Sequence, residues 1–134
     1  MSIATVSDVL TRAAALLDRG VCRSANARLA SGHTCSVFHA NAASYSMYGA
    51  LCSVLGPGLG GDAQLQHSAA WKLIALRAWD ALPADSRTRM EYALHDLNDQ
   101  LPGHGGERQP NTMRGNLFRA WAKDPEIIAM GAWK

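Results

Sequence analysis

The segment from Asp62 to Leu82 constrains the fold most, because as a helix it would carry apolar side chains on nearly every side. Charged residues are scarce between positions 69 and 82, where they are limited to Lys72, Arg77 and Asp80. Asp62 is a suitable N-cap, and Pro83 is expected to end the helix. A helix that is apolar all round lies in the middle of a bundle. We therefore predict an all-α fold, with segment 62–82 as its buried central helix.

Other segments show the helical spacing of apolar residues and predict helices that cover the central one. They run between Thr5 and Gly20, from Ala42 to Leu55, from Met90 to Leu101, from Asn111 or Thr112 to Lys123, and onward from Asp124. Thr5, with Asp8 three residues later, predicts a capping box at the start of the first helix. Residues 21–40 are harder to interpret: 24–30 could form a short helix, and 34–39 could be extended. In the segment from Ala42, Gly49 belongs to a stripe of small residues that would let another helix approach closely. The sequence thus predicts one domain, residues 1–134, with five or six helices.

Length and composition favour a small cytoplasmic protein. The chain has 134 residues, with 13 Lys and Arg against 11 Asp and Glu, for a net charge of +2. This balance of charge argues against a protein that mainly binds the phosphate backbone of nucleic acids. Three cysteines, an odd number, favour a reducing compartment over a disulfide framework. We expect no signal peptide, no membrane span and no cofactor.

Two motifs suggest chemistry but are better explained structurally. The glycine run 56–61 lacks the preceding strand that a dinucleotide-binding loop needs, so we interpret it as a linker between helices. Four residues of types that can bind a metal ion occur within one stretch: Cys22, His33, Cys35 and His39. Their spacing lacks the close pairs of structural zinc sites. The sequence predicts no metal site.

A cysteine-dependent hydrolase is one alternative function. The chain contains the residue types that such an enzyme needs: Cys35 or Cys52, His39 or His95, and Asn98 or Asp99. No positioning motif accompanies them, and we predict no catalytic residues. Asn98 and Asp99, at the polar edge of their helix, either bind loop backbone or contact a ligand.

Basic residues near the C-terminus predict a contact surface. They form a stripe of Arg108, Arg114, Arg119 and Lys123. With Trp133, which we expect to be exposed, they are the best candidates for contacts with a protein partner, because Trp and Arg are favoured at binding hot spots. The helix 112–123 could instead bind DNA or RNA through the same arginines. The oligomeric state is open.

Short motifs resemble a family of small proteins of unknown function found in bacterial and phage genomes. They are Tyr48-Gly49-Ala50-Leu51, the tryptophan-bearing central helix, and Leu97-Asn98-Asp99 followed by a helix that begins at a threonine. The resemblance spans about residues 43–123, and the chain departs from it at Leu97, where an aromatic residue is expected. It implies a helical fold and supplies no catalytic residues. The leading hypothesis is a non-enzymatic protein-binding module, such as an accessory or inhibitor protein of a phage or mobile element.

Overall fold

A computed structural model describes residues 4–59, 61–102 and 113–133. Within these ranges the chain is mainly helical, as predicted, with seven α-helices and one small antiparallel sheet. The helices are α1 Val6–Arg19, α2 Met47–Leu59, α3 Asp62–His67, α4 Ala69–Ala81, α5 Ala93–Gln100, α6 Met113–Ala122 and α7 Pro125–Met130. The strands are β1 Ala27–Leu29 and β2 Ala42–Tyr45, and two short 3₁₀ helices span Ala84–Ser86 and Met90–Tyr92.

Helix α1 supplies one side of the core. The Thr5 hydroxyl caps it by accepting a hydrogen bond from the Asp8 amide (3.0 Å), as the sequence predicted. Its apolar stripe is fully buried against α2 and α6: Val6, Val9, Leu10, Ala13, Ala14 and Leu17. Gly115 in α6 permits the close approach, since a Cβ there would lie 3.1 Å from the Ala14 carbonyl oxygen.

The predicted central helix 62–82 requires correction. It is two helices, α3 and α4, because Ser68 between them is extended (φ −75°, ψ 144°). The Ser68 hydroxyl donates to the Leu65 carbonyl (2.6 Å) and accepts from the Trp71 amide (3.1 Å), which ends one helix and starts the next. Leu76 on α4 is 39% exposed, so this helix buries one face and is not enclosed on all sides.

The sheet also departs from the prediction. Residues 42–45, expected to begin a helix, form β2, and 27–29 of the proposed short helix form β1, with Ala27 opposite Tyr45. Helix α2 begins only at Met47, where the Ser46 hydroxyl accepts from the Gly49 amide (3.0 Å). A Cβ on Gly49 would overlap the Asn26 carbonyl oxygen. Close approach at Gly49 is confirmed, but the neighbour is the loop before β1 and not another helix.

The two described ends of the chain lie side by side. Thr5 and Ala132 form an antiparallel bridge. The Val6 amide donates to the Gly131 carbonyl (2.8 Å), and the Trp133 amide donates to the Ala4 carbonyl (3.0 Å). These bonds join α7 to the start of α1.

Candidate functional site

A polar pocket lies where α5 faces the loop before β1 and the first turn of α2. Its volume is about 360 Å³, and its lining residues are Ser24, Ala25, Asn26, Ser46, Tyr48, His95, Asn98 and Asp99. The fold therefore brings together Tyr48 and Asn98-Asp99, the motif residues that are 50 positions apart along the chain. The chemistry of this pocket comes from hydroxyls, amides, one imidazole and one carboxylate.

Asn98 ties three segments together behind the pocket. It is 1% exposed, and its Oδ1 accepts from the Met47 amide (3.0 Å) at the start of α2. Its Nδ2 donates to the Cys22 carbonyl (3.0 Å) and to Asp99 Oδ1 (3.3 Å). Because buried amides are costly unless bonded, these contacts account for an asparagine at this position. The amide holds the pocket together, and Asp99 is the residue of the pair that a ligand can reach.

Arg114 supports Asn98 from α6. It is fully buried, and its Nε donates to Asn98 Oδ1 (3.1 Å). Its terminal nitrogens donate to backbone carbonyls at the end of α5, those of Asn98 (2.5 Å), Leu101 (2.9 Å) and Pro102 (3.0 Å). A helix leaves the carbonyls of its last turn without intrahelical partners, and those of Asn98 and Leu101 lie at the negative end of the α5 dipole. The guanidinium therefore caps α5 and fixes the register of Asn98.

Ser24 and Asp99 form the rim of the pocket. Ser24 has a left-handed backbone (φ 59°), which is uncommon for a residue with a side chain. Its amide lies 3.4 Å from Asp99 Oδ1. Both residues are exposed. Backbone strain of this kind persists only where the surroundings enforce it, so the rim is held in one geometry.

Aromatic rings form the inner wall. The rings of Tyr48 and His95 have centroids 4.7 Å apart, and Tyr48 meets Trp71 edge to face at 5.3 Å. Tyr48 is 2% exposed, while the His95 side chain is half-buried. The pocket thus offers a polar mouth and an aromatic base.

The three described members of the predicted basic stripe do not form a common exposed surface. Arg114 is buried because it caps α5, so its prediction as a contact residue is corrected. Arg119 is half-buried and pairs with Asp18 and Asn116. Lys123 is exposed, and Arg108 lies outside the described residues.

Trp133 is also buried, which corrects the expectation that it is exposed. It is 5% exposed and belongs to the hydrophobic core. The hydrogen bond from its backbone N–H to the Ala4 carbonyl brings this end of the chain against the start of α1. Among the predicted contact residues that the structure describes, only Lys123 is well exposed.

The cysteines do not form a catalytic centre with the pocket. None of the three is in a disulfide, and none of them lines the pocket. Cys52 is 3% exposed, and burial raises the pKa of the Cys22 thiol. His39, the proposed base near Cys35, accepts a hydrogen bond from the Asn41 amide (2.9 Å) at Nδ1. A buried thiol with a raised pKa is a poor nucleophile.

A second, apolar groove lies between α4 and the 3₁₀ helix Met90–Tyr92. It has a volume of about 420 Å³ and is lined by Gln66, Trp71, Lys72, Ala75, Arg89, Met90 and Glu91. Sequence reasoning missed this groove because Met90 was assigned to the buried face of an amphipathic helix. Ser24, Asn26 and Ser46 of the polar pocket were also missed, and their short polar side chains gave no periodic signal.

Comparisons with known proteins place the chain in a family without naming a function. In the part of the chain that the structure describes, no group of three or more His, Cys, Asp or Glu side chains could hold a metal ion. Across the same ranges, no helix has both the length and the apolar character needed to cross a membrane. No curated protein matches the chain, and no solved structure matches it. A family model described as a family of unknown function (DUF6197) matches residues 1–127. The chain belongs to this family.

Proposed function

We propose that the chain is a non-enzymatic protein-binding module that acts in the cytoplasm, as an accessory or inhibitor protein of a phage or mobile element would. The observation that carries the proposal is the polar pocket beneath the exposed Asp99 carboxylate. Three separate segments are fixed around it by the buried amide of Asn98. A site that is held in place before its ligand arrives loses little conformational entropy on binding.

The chemistry of the pocket favours a basic side chain of the partner. Among its lining residues, Asp99 is the one with an acidic side chain. Its hydrogen bonds from Ser24 and Asn98 both go to Oδ1 and are long, at 3.4 and 3.3 Å. Oδ2 is therefore placed to accept from an ammonium or guanidinium group, and such charge-assisted bonds are the stronger ones.

Binding is better supported than the two alternatives from the sequence. A cysteine-dependent hydrolase would need an accessible thiol beside the imidazole of His95, and Cys52 is buried within α2. Nucleic-acid binding through the helix 112–123 would need its arginines, and Arg114 and Arg119 make their contacts within the protein. The polar pocket has no cysteine nucleophile, and the arginines of the basic helix are already bonded within the protein. Both observations favour binding of a protein partner over the two alternatives.

The test is a titration of the whole chain with capped peptides of sequence Gly-Gly-Xaa-Gly-Gly, where Xaa is Arg, Lys, Gln or Glu. We expect backbone amide shifts around Ser24, Tyr48 and Asp99 with the Arg and Lys peptides. Asp99→Asn should weaken binding by about tenfold, the value of one charge-assisted hydrogen bond. Asp80→Asn is the matched control, because Asp80 is an exposed acid on α4 outside the pocket.

Three results would contradict the proposal. One is equal binding of the Gln and Arg peptides, and another is equal loss of affinity in the two variants. The third is a set of shifts at Ser24, Tyr48 and Asp99 produced by the Glu peptide alone, since that would identify the pocket as an anion site.

A further inference from the structure

The groove between α4 and the 3₁₀ helix Met90–Tyr92 is a second feature with the anatomy of an interface. Trp71 and Ala75 on α4 are almost fully buried and form its apolar base. Met90, on the opposite wall, is 40% exposed. Methionine and tryptophan are enriched in protein interfaces, where flexible Met side chains adapt to the partner.

Two further exposed apolar side chains lie on the elements that form the groove. Leu76, 39% exposed, lies one helical turn after Lys72 on α4, and Tyr92, 49% exposed, ends the 3₁₀ helix that carries Met90. In a folded protein, large apolar side chains that are grouped and exposed mark interaction sites more often than single ones do. The two walls together provide a surface for an apolar partner segment.

The charges around the groove select the kind of segment. Its lining carries Lys72, Arg89 and Glu91. Arg89 and Glu91 lie 3.4 Å apart and pair with each other across an exposed site. Lys72 is exposed and makes no ion pair within the described residues, so the net excess at the groove is positive.

We propose that this groove docks an apolar protein segment flanked by acidic side chains. The apolar side chains would cover Trp71 and Met90, and a carboxylate would pair with Lys72. Charge complementarity of this kind sets specificity and orientation at the rim, while the apolar contact supplies affinity. The groove shares no lining residue with the polar pocket and has the opposite charge, so this inference does not rest on the function proposed for that pocket.

The experiment uses the full chain and three labelled amphipathic peptides of about 16 residues. They share one leucine-bearing face and differ in their flanking residues, which are Glu, Gln or Lys. Fluorescence anisotropy at low and moderate salt gives their affinities. We expect the Glu peptide to bind at least about tenfold more tightly than the Lys peptide, with a preference that weakens as salt rises.

Two variants separate the groove from general charge effects. Lys72→Glu should reverse the preference, so that the Lys peptide binds more tightly than the Glu peptide. Arg12→Glu, at an exposed position on α1, makes the same change in net charge and should leave the order intact. Met90→Ser should lower the affinity for all three peptides.

Several outcomes would overturn the inference. They are the absence of binding by any peptide, equal affinity of the Glu and Lys peptides, and equal effects of Lys72→Glu and Arg12→Glu. Self-association of the chain that the Glu peptide does not displace and that Met90→Ser abolishes would show that a second copy covers the groove instead.

Discussion

Arg114 holds both the side chain and the main chain of Asn98. Its Nε donates to Asn98 Oδ1 (3.1 Å), and its Nη2 donates to the Asn98 carbonyl (2.5 Å). The same Asn98 Oδ1 accepts from the Met47 amide, so α6, α5 and α2 meet at one oxygen atom. A guanidinium on α6, in a helix that does not line the pocket, therefore sets the position of the residues that do.

Arg114→Ala should be among the most destabilising single substitutions in the described chain. It leaves buried carbonyls at the end of α5 without donors, and the expected loss in the free energy of unfolding is at least about 3 kcal/mol. Arg114→Lys should be more stable than Arg114→Ala but less stable than the parent chain, because an ammonium group cannot reproduce the forked hydrogen bonds of a guanidinium. Urea unfolding measures the free energy of unfolding of both variants. Arg119→Ala is the control: it removes a half-exposed ion pair with Asp18 and should lower the free energy of unfolding by about 1 kcal/mol or less. Similar losses for the two alanine variants would contradict this role of Arg114.

Gly49→Ala should destabilise the chain by about 2 kcal/mol, because its Cβ would overlap the Asn26 carbonyl oxygen in the pocket wall. Gly58→Ala is the control, in the helical turn that follows the kink at Gly56. A Cβ at Gly58 meets no atom within 4 Å, so alanine there should raise stability by about 0.5 kcal/mol through the entropy of the unfolded chain. Thermal unfolding of both variants gives the comparison. The prediction fails if Gly49→Ala is neutral.

Acid should weaken the contact between α4 and α7. Arg77 Nε donates to Asp124 (2.9 Å), and this bond lowers the pKa of that carboxyl below its ordinary value. A carboxyl with a lowered folded pKa contributes stability above its unfolded pKa of about 4, and that stability is lost as the pH falls through the lower folded pKa. Unfolding measured from pH 7 to pH 2 should therefore show a smaller decrease for Asp124→Asn than for the parent chain. Asp80→Asn should follow the parent, and identical pH profiles for all three would exclude the coupling.

The three thiols should react in a fixed order with iodoacetamide at neutral pH. Cys35 is half-buried and should be labelled first. Cys22 and Cys52 are buried, and burial raises the pKa of Cys22. We therefore expect both to be labelled only when the chain unfolds. Mass spectrometry of timed samples, with and without denaturant, gives the order. Labelling of Cys35 or Cys52 in the folded chain faster than a free thiol would support the hydrolase hypothesis.

Periodicity in the sequence was sufficient where a helix buries one face. Thr5 and Asp8 marked the start of α1, and its apolar stripe indicated the core side correctly. Periodicity failed at Ser68, because the residues on both sides of it are compatible with helix and a single hydroxyl decides the break. It also failed at 42–45, where pairing with β1 outweighs local preference.

The candidate site was harder to predict, because its residues are related only through the fold. Asn98 and Asp99 could be selected by their place at a helix edge, but Ser24 and Asn26 belong to a loop that had been interpreted as a short helix. Arg114 shows the physical reason most clearly. Charge in a sequence predicts exposure on average, yet this guanidinium is buried because the end of α5 supplies enough carbonyls to satisfy it.

The bridge between Thr5 and Ala132 has a practical consequence for rearranging the gene. With positions 4 and 133 hydrogen-bonded to each other, a short Gly-Ser linker can connect them without crossing the surface. New ends opened at the exposed turn around Gly32 would interrupt no helix. Circular permutation at that turn would place fusion partners beside the sheet and leave the original ends closed into a loop.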